Sequence, residues 1–89
     1  MSGKELEYIK DVFKDNWIAP IGPHLNMFEE KVKEYTNSKY AVAVTSCTAG
    51  IHLALRALKV EPGDYVICQS LTFVATVSPI IYCGAEPIF

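Results

Sequence analysis

Between Asp64 and Glu86 the chain carries no charged residue, and this stretch restricts the fold more than any other feature. Its apolar surface has to leave water, either into lipid or into protein. Lipid is excluded by content. Gln69, Ser70, Thr72, Thr76, Ser78 and Pro79 interrupt the window, and its middle reads as a turn. A buried strand followed by a buried helix accounts for the pattern, so no membrane association is expected.

Charge is concentrated elsewhere. Residues 1–39 hold six Lys and seven Asp/Glu, whereas residues 40–89 hold only Arg56, Lys59, Glu61, Asp64 and Glu86. The first part reads as surface helices and the second as the interior of something larger. At 89 residues and 9.9 kDa the chain is one small domain or a piece of a larger one, and it buries only about 60% of the surface its unfolded form exposes. A content of 51% hydrophobic against 20% charged residues excludes intrinsic disorder. The net charge of −2 excludes the basic footprint of a nucleic-acid binder. Ser2 to Glu7 is polar and mixed in sign, so no secretory signal is expected. Cys47, Cys68 and Cys83 are odd in number and widely spaced, which fits neither a disulfide framework nor a metal site. Three reduced thiols in a cytoplasmic protein, without metal, is the expectation.

Periodicity places the elements. Ser2 and Glu5 have capping-box spacing, and Leu6, Ile9, Val12 and Phe13 follow on one helical face. The segment Asn16 to Pro23 contains two prolines and a glycine and reads as a loop. A second helix follows with Leu25, Phe28, Val32 and Tyr35 as its buried stripe, stopped at Thr36-Asn37-Ser38. Ala41-Val42-Ala43-Val44 suits a parallel strand covered on both faces. Ala49 to Leu58 reads as a helix, Tyr65 to Cys68 as a strand, and Thr72 to Tyr82 as a helix kinked or restarted at Pro79 with Gly84 as its cap. Glu86 to Phe89 begins another strand, and the expectation is that the chain is truncated there. The predicted class is α/β: two N-terminal helices, then a β-α-β-α-β unit with right-handed crossovers.

In such sheets ligands sit where strands end and helix N-termini point. Ser46-Cys47-Thr48-Ala49-Gly50 is one such place. Unpaired amides and the positive end of the helix dipole suit a phosphate or carboxylate there, with the Thr48 hydroxyl adding a bond and Ala49 and Gly50 allowing close approach. Ser46 or Thr48 acting only as a helix cap is the simpler reading of the same residues. Gln69 to Phe73 is the second place. Phe73, at a helix start, could stack on a planar ring whose phosphate lies at Thr48, or be an ordinary core aromatic. Cys47 reads as a spacer, His52 as a packing residue and His24 as solvated.

These stretches together resemble the N-terminal portion of the PLP-dependent nucleotide-sugar aminotransferases, the DegT/DnrJ/StrS family. The matching blocks are Asn16-Trp17-Ile18 with Gly22-Pro23, Phe28-Glu29, Tyr40-Ala41-Val42-Ala43-Val44, and Ser46-Cys47-Thr48-Ala49-Gly50-Ile51-His52-Leu53-Ala54-Leu55. They continue with Pro62-Gly63-Asp64, Leu71-Thr72-Phe73-Val74-Ala75-Thr76 and Tyr82-Cys83-Gly84-Ala85-Glu86-Pro87. The resemblance implies a type I aminotransferase fold, with residues 1–39 supplying helices and a substrate-side loop and residues 40–89 starting the PLP-binding domain. It implies that Thr48 and Ala49 hold the pyridoxal 5'-phosphate (PLP) phosphate, that Phe73 stacks on the pyridine ring, and that Trp17 and Gly22 lie near the substrate. It further implies a nucleotide-sugar substrate, glutamate as amino donor, and a homodimer with active sites at the subunit interface.

The family's Schiff-base lysine and the acid that pairs with the pyridinium nitrogen match no position here. Lys4, Lys10, Lys14, Lys31, Lys33, Lys39 and Lys59 sit on charged helices or in loops, where an exposed ammonium is protonated and not nucleophilic. Asp64 precedes a strand, at the wrong end of a sheet for a ligand. Two readings follow: a fragment of a sugar aminotransferase without a catalytic residue of its own, or a non-catalytic module that docks onto a full-length relative. The chain alone is expected not to transaminate. Incubation with one equivalent of PLP and then borohydride should give only scattered, substoichiometric labelling, and a stoichiometric adduct at a single lysine would contradict the lysine argument.

Overall fold

The computed structural model describes residues 2–89, which fall into two units, one ending at Ala43 and the other running Val44–Phe89. The first unit holds helices α1 (Glu5–Lys14) and α2 (Pro23–Thr36). The second holds α3 (Cys47–Ala57), strand β1 (Tyr65–Ile67), a 3-10 turn (Val74–Thr76), α4 (Ser78–Tyr82) and strand β2 (Glu86–Ile88).

The capping box at Ser2 is half made. The Glu5 carboxylate accepts the Ser2 and Gly3 amides at 2.5 and 2.9 Å. The Ser2 hydroxyl stays outside the helix and accepts the Lys4 amide at 3.3 Å. Helix α1 therefore starts at Glu5, with Lys4 in the cap position and no side-chain cap. Bonds from the Glu5 and Ser2 amides hold the Glu5 carboxyl below its ordinary range.

All four helices end in the same device, a left-handed residue that lets two further amides reach carbonyls in the last turn. Its positions are Asn16, Asn37, Lys59 and Gly84. In α4 the Gly84 amide reaches the Ile81 carbonyl at 2.9 Å and the Ala85 amide reaches the Ile80 carbonyl at 3.2 Å. Asn37 accounts for the predicted stop after Thr36, and Pro79 falls in the first turn of α4, as its restart requires.

Strands β1 and β2 pair in parallel, with Tyr65, Val66 and Ile67 opposite Glu86, Pro87 and Ile88. The core beneath them consists of Ile80, Cys83 and Ala85, with Leu55, Val60, Val66 and Cys68 packed against it.

Three expectations change. Residues 41–44 form no strand: none of their backbone groups joins a ladder among the described residues, and the Ala43 amide instead donates to the Glu29 carboxylate at 2.8 Å. A strand exists only through its neighbour, so the β-α-β-α-β pattern reduces to one strand pair with helical segments. The helix expected over 72–82 is a 3-10 turn followed by a single turn and a half of α-helix, because Pro79 supplies no amide and Thr72, Val74, Thr76 and Val77 are β-branched. The stripe of α2 expected to be buried is largely open: Phe28 and Tyr35 are exposed and Leu25 and Val32 only half-buried.

Two outcomes follow. Ile80→Ala should abolish cooperative unfolding of the second unit in calorimetry, because a cavity costing about 2–5 kcal/mol exceeds what so few buried side chains sustain. The Glu5 carboxyl, lowered on folding, stabilises α1 above the ordinary carboxylate range and ceases to do so as pH falls through its lowered value. The Ser2 and Gly3 amide shifts should therefore titrate with a midpoint below that of an unstructured glutamate, and a midpoint at or above it would refute the assignment.

Candidate functional site

Helix α3 begins where the chain leaves residues 41–45 and turns at Ser46, whose extended backbone and short side chain suit a cap. Its hydroxyl accepts the Ala49 amide at 3.2 Å, and its carbonyl accepts the Gly50 amide at 3.0 Å. Among the described residues nothing accepts from the Cys47 and Thr48 amides. Thr48 and Ala49 are half-buried and Cys47 is exposed. The turn thus keeps two amides and a threonine hydroxyl available at the positive end of an 11-residue helix, and a phosphate suits such an end. Ser46 is thus the helix cap that the simpler sequence reading named, and the Ala49 amide that the resemblance assigns to a phosphate is already satisfied by it. Gly50 keeps the turn close to the preceding segment, since an added Cβ would lie 3.3 Å from the Val44 side chain.

Phe73 precedes the 3-10 turn in extended backbone, not in a helix, and that turn packs against α3. Its ring is 79% exposed. Its exposure is shared with Leu71 and Val74 beside it, at 94% and 66%. The ring is available to lie against a planar ligand. His52 packs edge-on against Tyr82 with ring centroids 5.7 Å apart, the packing role expected of it.

In the other unit, Trp17 and Gly22 are brought together. The indole N–H donates to the Ile21 carbonyl, closing the loop on itself. A Cβ on Gly22 would stand 2.5 Å from the indole nitrogen and 2.7 Å from its Cδ1, so Gly22 is there because only hydrogen fits under the ring. Beside them lies a cavity of about 250 Å³ that Asp15 and His24 also line. His24, expected to be solvated, is half-buried and meets Tyr8 edge-on at 6.2 Å. No cluster of three metal-ligating side chains occurs among the described residues, and none of their helices is long and apolar enough to cross a membrane.

The helix N-terminus with two amides left without acceptors and the exposed Phe73 lie in the same α/β unit, and comparison with known proteins specifies the family. The model of the DegT/DnrJ/EryC1/StrS aminotransferase family matches residues 1–89, and the chain belongs to that family. It is 57% identical over 89 residues to EpsN of Bacillus subtilis, named as a pyridoxal phosphate-dependent aminotransferase. It is 42% identical to the GDP-perosamine synthase of Escherichia coli O157:H7. It covers all of itself but only 23% and 24% of those proteins. Among solved structures, an aminotransferase from Psychrobacter cryohalolentis superposes over the whole chain with a TM-score of 0.91 at 32% identity, matching 23% of that protein. A Streptococcus pneumoniae protein named as a sugar aminotransferase, in its PLP form, gives 0.89 at 34% identity, with 99% of this chain and 22% of that one covered. The chain thus spans about a quarter of the length of its relatives.

Gly22→Ala should push the indole off the loop. Trp17 is the sole tryptophan, so its emission should shift to the red and its quenching by iodide should increase. An unchanged spectrum would show that the indole does not rest on Gly22.

Proposed function

We propose that this chain is the part of a nucleotide-sugar aminotransferase that grips the phosphate and one ring face of pyridoxal 5'-phosphate. The supporting observation is the pair of amides at Cys47 and Thr48 left without acceptors at the start of α3. The phosphate is held by those amides and the Thr48 hydroxyl, with Ala49 joining when Ser46 releases it. The exposed ring of Phe73 covers the pyridine. Trp17 and Gly22 form the wall of the substrate side, where a keto sugar carried on a nucleotide is bound, glutamate being the amino donor. The bound cofactor supplies the electron sink for amino transfer. The chain's own residues bind and orient it and move no proton.

Catalysis needs a lysine that this chain does not bring to the cofactor. Lys59 is the lysine of the second unit, and it follows the C-terminal end of α3. An 11-residue helix rises about 16 Å from one end to the other, too far for a side chain to span. The reading therefore includes inactivity of the chain by itself, activity in a homodimer of complete subunits, and a cytoplasmic setting, the last supported by three free thiols.

Pyridoxamine 5'-phosphate, which forms no imine, is the suitable probe. Its titration should shift the Cys47 and Thr48 amide resonances. Thr48→Val should weaken binding about tenfold, since a hydrogen bond to a charged group contributes about 1.5–3 kcal/mol. Phe73→Ala should weaken pyridoxamine phosphate while leaving inorganic phosphate unchanged. Shifts confined to the first unit would overturn the assignment.

A further inference from the structure

Two of the blocks that carry the family resemblance, Phe28-Glu29 and Tyr40 to Val44, meet in one hydrogen bond. The Glu29 carboxylate, on α2, accepts the Ala43 amide at 2.8 Å across 14 positions of sequence. Both residues are half-buried. Glu30, next along the helix, pairs with Lys33 at 2.9 Å, whereas Glu29 meets no cation among the described residues. Its carboxylate is thus directed at the backbone, and a hydrogen bond to an ionised acceptor is among the stronger kinds. Both partners belong to this chain, so the bond stands whatever covers the neighbouring surfaces. Ala43 ends the first unit, and Ser46, the cap of α3, comes three residues later, at most about 10 Å of extended backbone. Val44 between them touches the helix: a Cβ on Gly50 would lie 3.3 Å from its side chain.

We propose that Glu29 is a positioning residue for the turn that starts α3. Its carboxylate fixes Ala43, and Val44 seats on the helix, so the approach to Ser46 is held at two consecutive residues. The Cys47 and Thr48 amides are then ordered before any anion arrives, which lowers the ordering cost of binding one. This rests on the reading of that turn as the phosphate site. Charge and geometry act here with opposite sign. Removing a carboxylate favours an anion, whereas losing the Ala43 bond disfavours it, and the sign of the change separates the two.

Three substitutions test the role. Glu29→Gln keeps an acceptor oxygen at the same reach without the charge, Glu29→Asp keeps the charge but is one methylene shorter, and Glu29→Ala keeps neither. Without ligand, nitrogen relaxation should show residues 44–48 more mobile, and the Ala43 amide faster to exchange, in Glu29→Asp and Glu29→Ala. Glu29→Gln should match the wild type. Pyridoxamine 5'-phosphate and inorganic phosphate, titrated separately, should both bind about tenfold more weakly to Glu29→Ala and Glu29→Asp, as loss of a hydrogen bond to a charged group allows, and Glu29→Gln should restore both. Equal order at residues 44–48 in all four chains overturns the proposal. So does tighter phosphate binding by Glu29→Ala, the sign that charge alone gives, or a Glu29→Gln chain as weak as Glu29→Ala. Loss of the helical circular dichroism signal in Glu29→Asp would make Glu29 a residue of the fold and not of the turn, which also overturns it. A wild-type chain whose Cys47 and Thr48 amides respond to neither ligand, while the substitutions still loosen residues 44–48, overturns the phosphate reading and leaves the ordering role of Glu29 standing.

Discussion

The second unit depends on one reversal. At Gly84 the chain adopts a left-handed conformation, with φ near 75°, and the Ile80 carbonyl captures the Ala85 amide. That closure ends α4 after five residues and turns the chain straight into β2. Ile80, Cys83 and Ala85 then point into one core, and β2 runs parallel to β1. A side chain could not take the glycine's place: besides the backbone strain, its Cβ would meet the Pro62 ring at 2.8 Å. Pro62 belongs to the loop that feeds β1, so the reversal and the strand entry are fitted to each other. Helix α3 packs against α4 and the 3-10 turn, and its N-terminus and Phe73 inherit their positions from this small assembly.

The scale of that core explains much else. With so few buried side chains, burial alone leaves stability marginal. Large apolar side chains remain open in both units, Tyr35 and Leu71 being 93% and 94% exposed. Under such conditions whatever binds only the ordered state contributes to folding, because it shifts the balance toward that state.

The first three helices and the β1–β2 pair were legible in the sequence; the state of residues 41–44 and the run of the last helix were not. Helix α2 is delimited by local chemistry, Pro23 at its start and Asn37 at its end, and these signals act whatever surrounds them. Residues 41–44 have the composition of a strand, but a strand is completed by hydrogen bonds to another segment, which no pattern within those residues can supply. The stripe of Phe28 and Tyr35 gave helix α2 correctly and its burial incorrectly for the same reason: periodicity identifies a face, while burial requires something to lie on it. At the candidate site, the turn that starts α3 and its Ser46 cap were legible from residue types. The contact of Trp17 with Gly22 was not, because nothing in the spacing of those residues reports that the indole folds back over the glycine.

The division of amides at α3 bears on how an anion would be held. Ser46 performs two tasks that compete: its carbonyl starts the helix through Gly50, and its hydroxyl occupies the Ala49 amide. The carbonyl bond is integral to the helix, whereas the hydroxyl bond, at 3.2 Å, lies at the long end of the range for such contacts and breaks with a single side-chain rotation. Without ligand the Ala49 and Gly50 amides are satisfied by Ser46, and those of Cys47 and Thr48 have no acceptor among the described residues. With a phosphate ester present, the hydroxyl can turn from acceptor at Ala49 to donor toward the anion, releasing the third amide at the same time. A serine at this position therefore serves the empty and the occupied turn equally, which an aspartate could not: its carboxylate would cap the helix well and repel the phosphate.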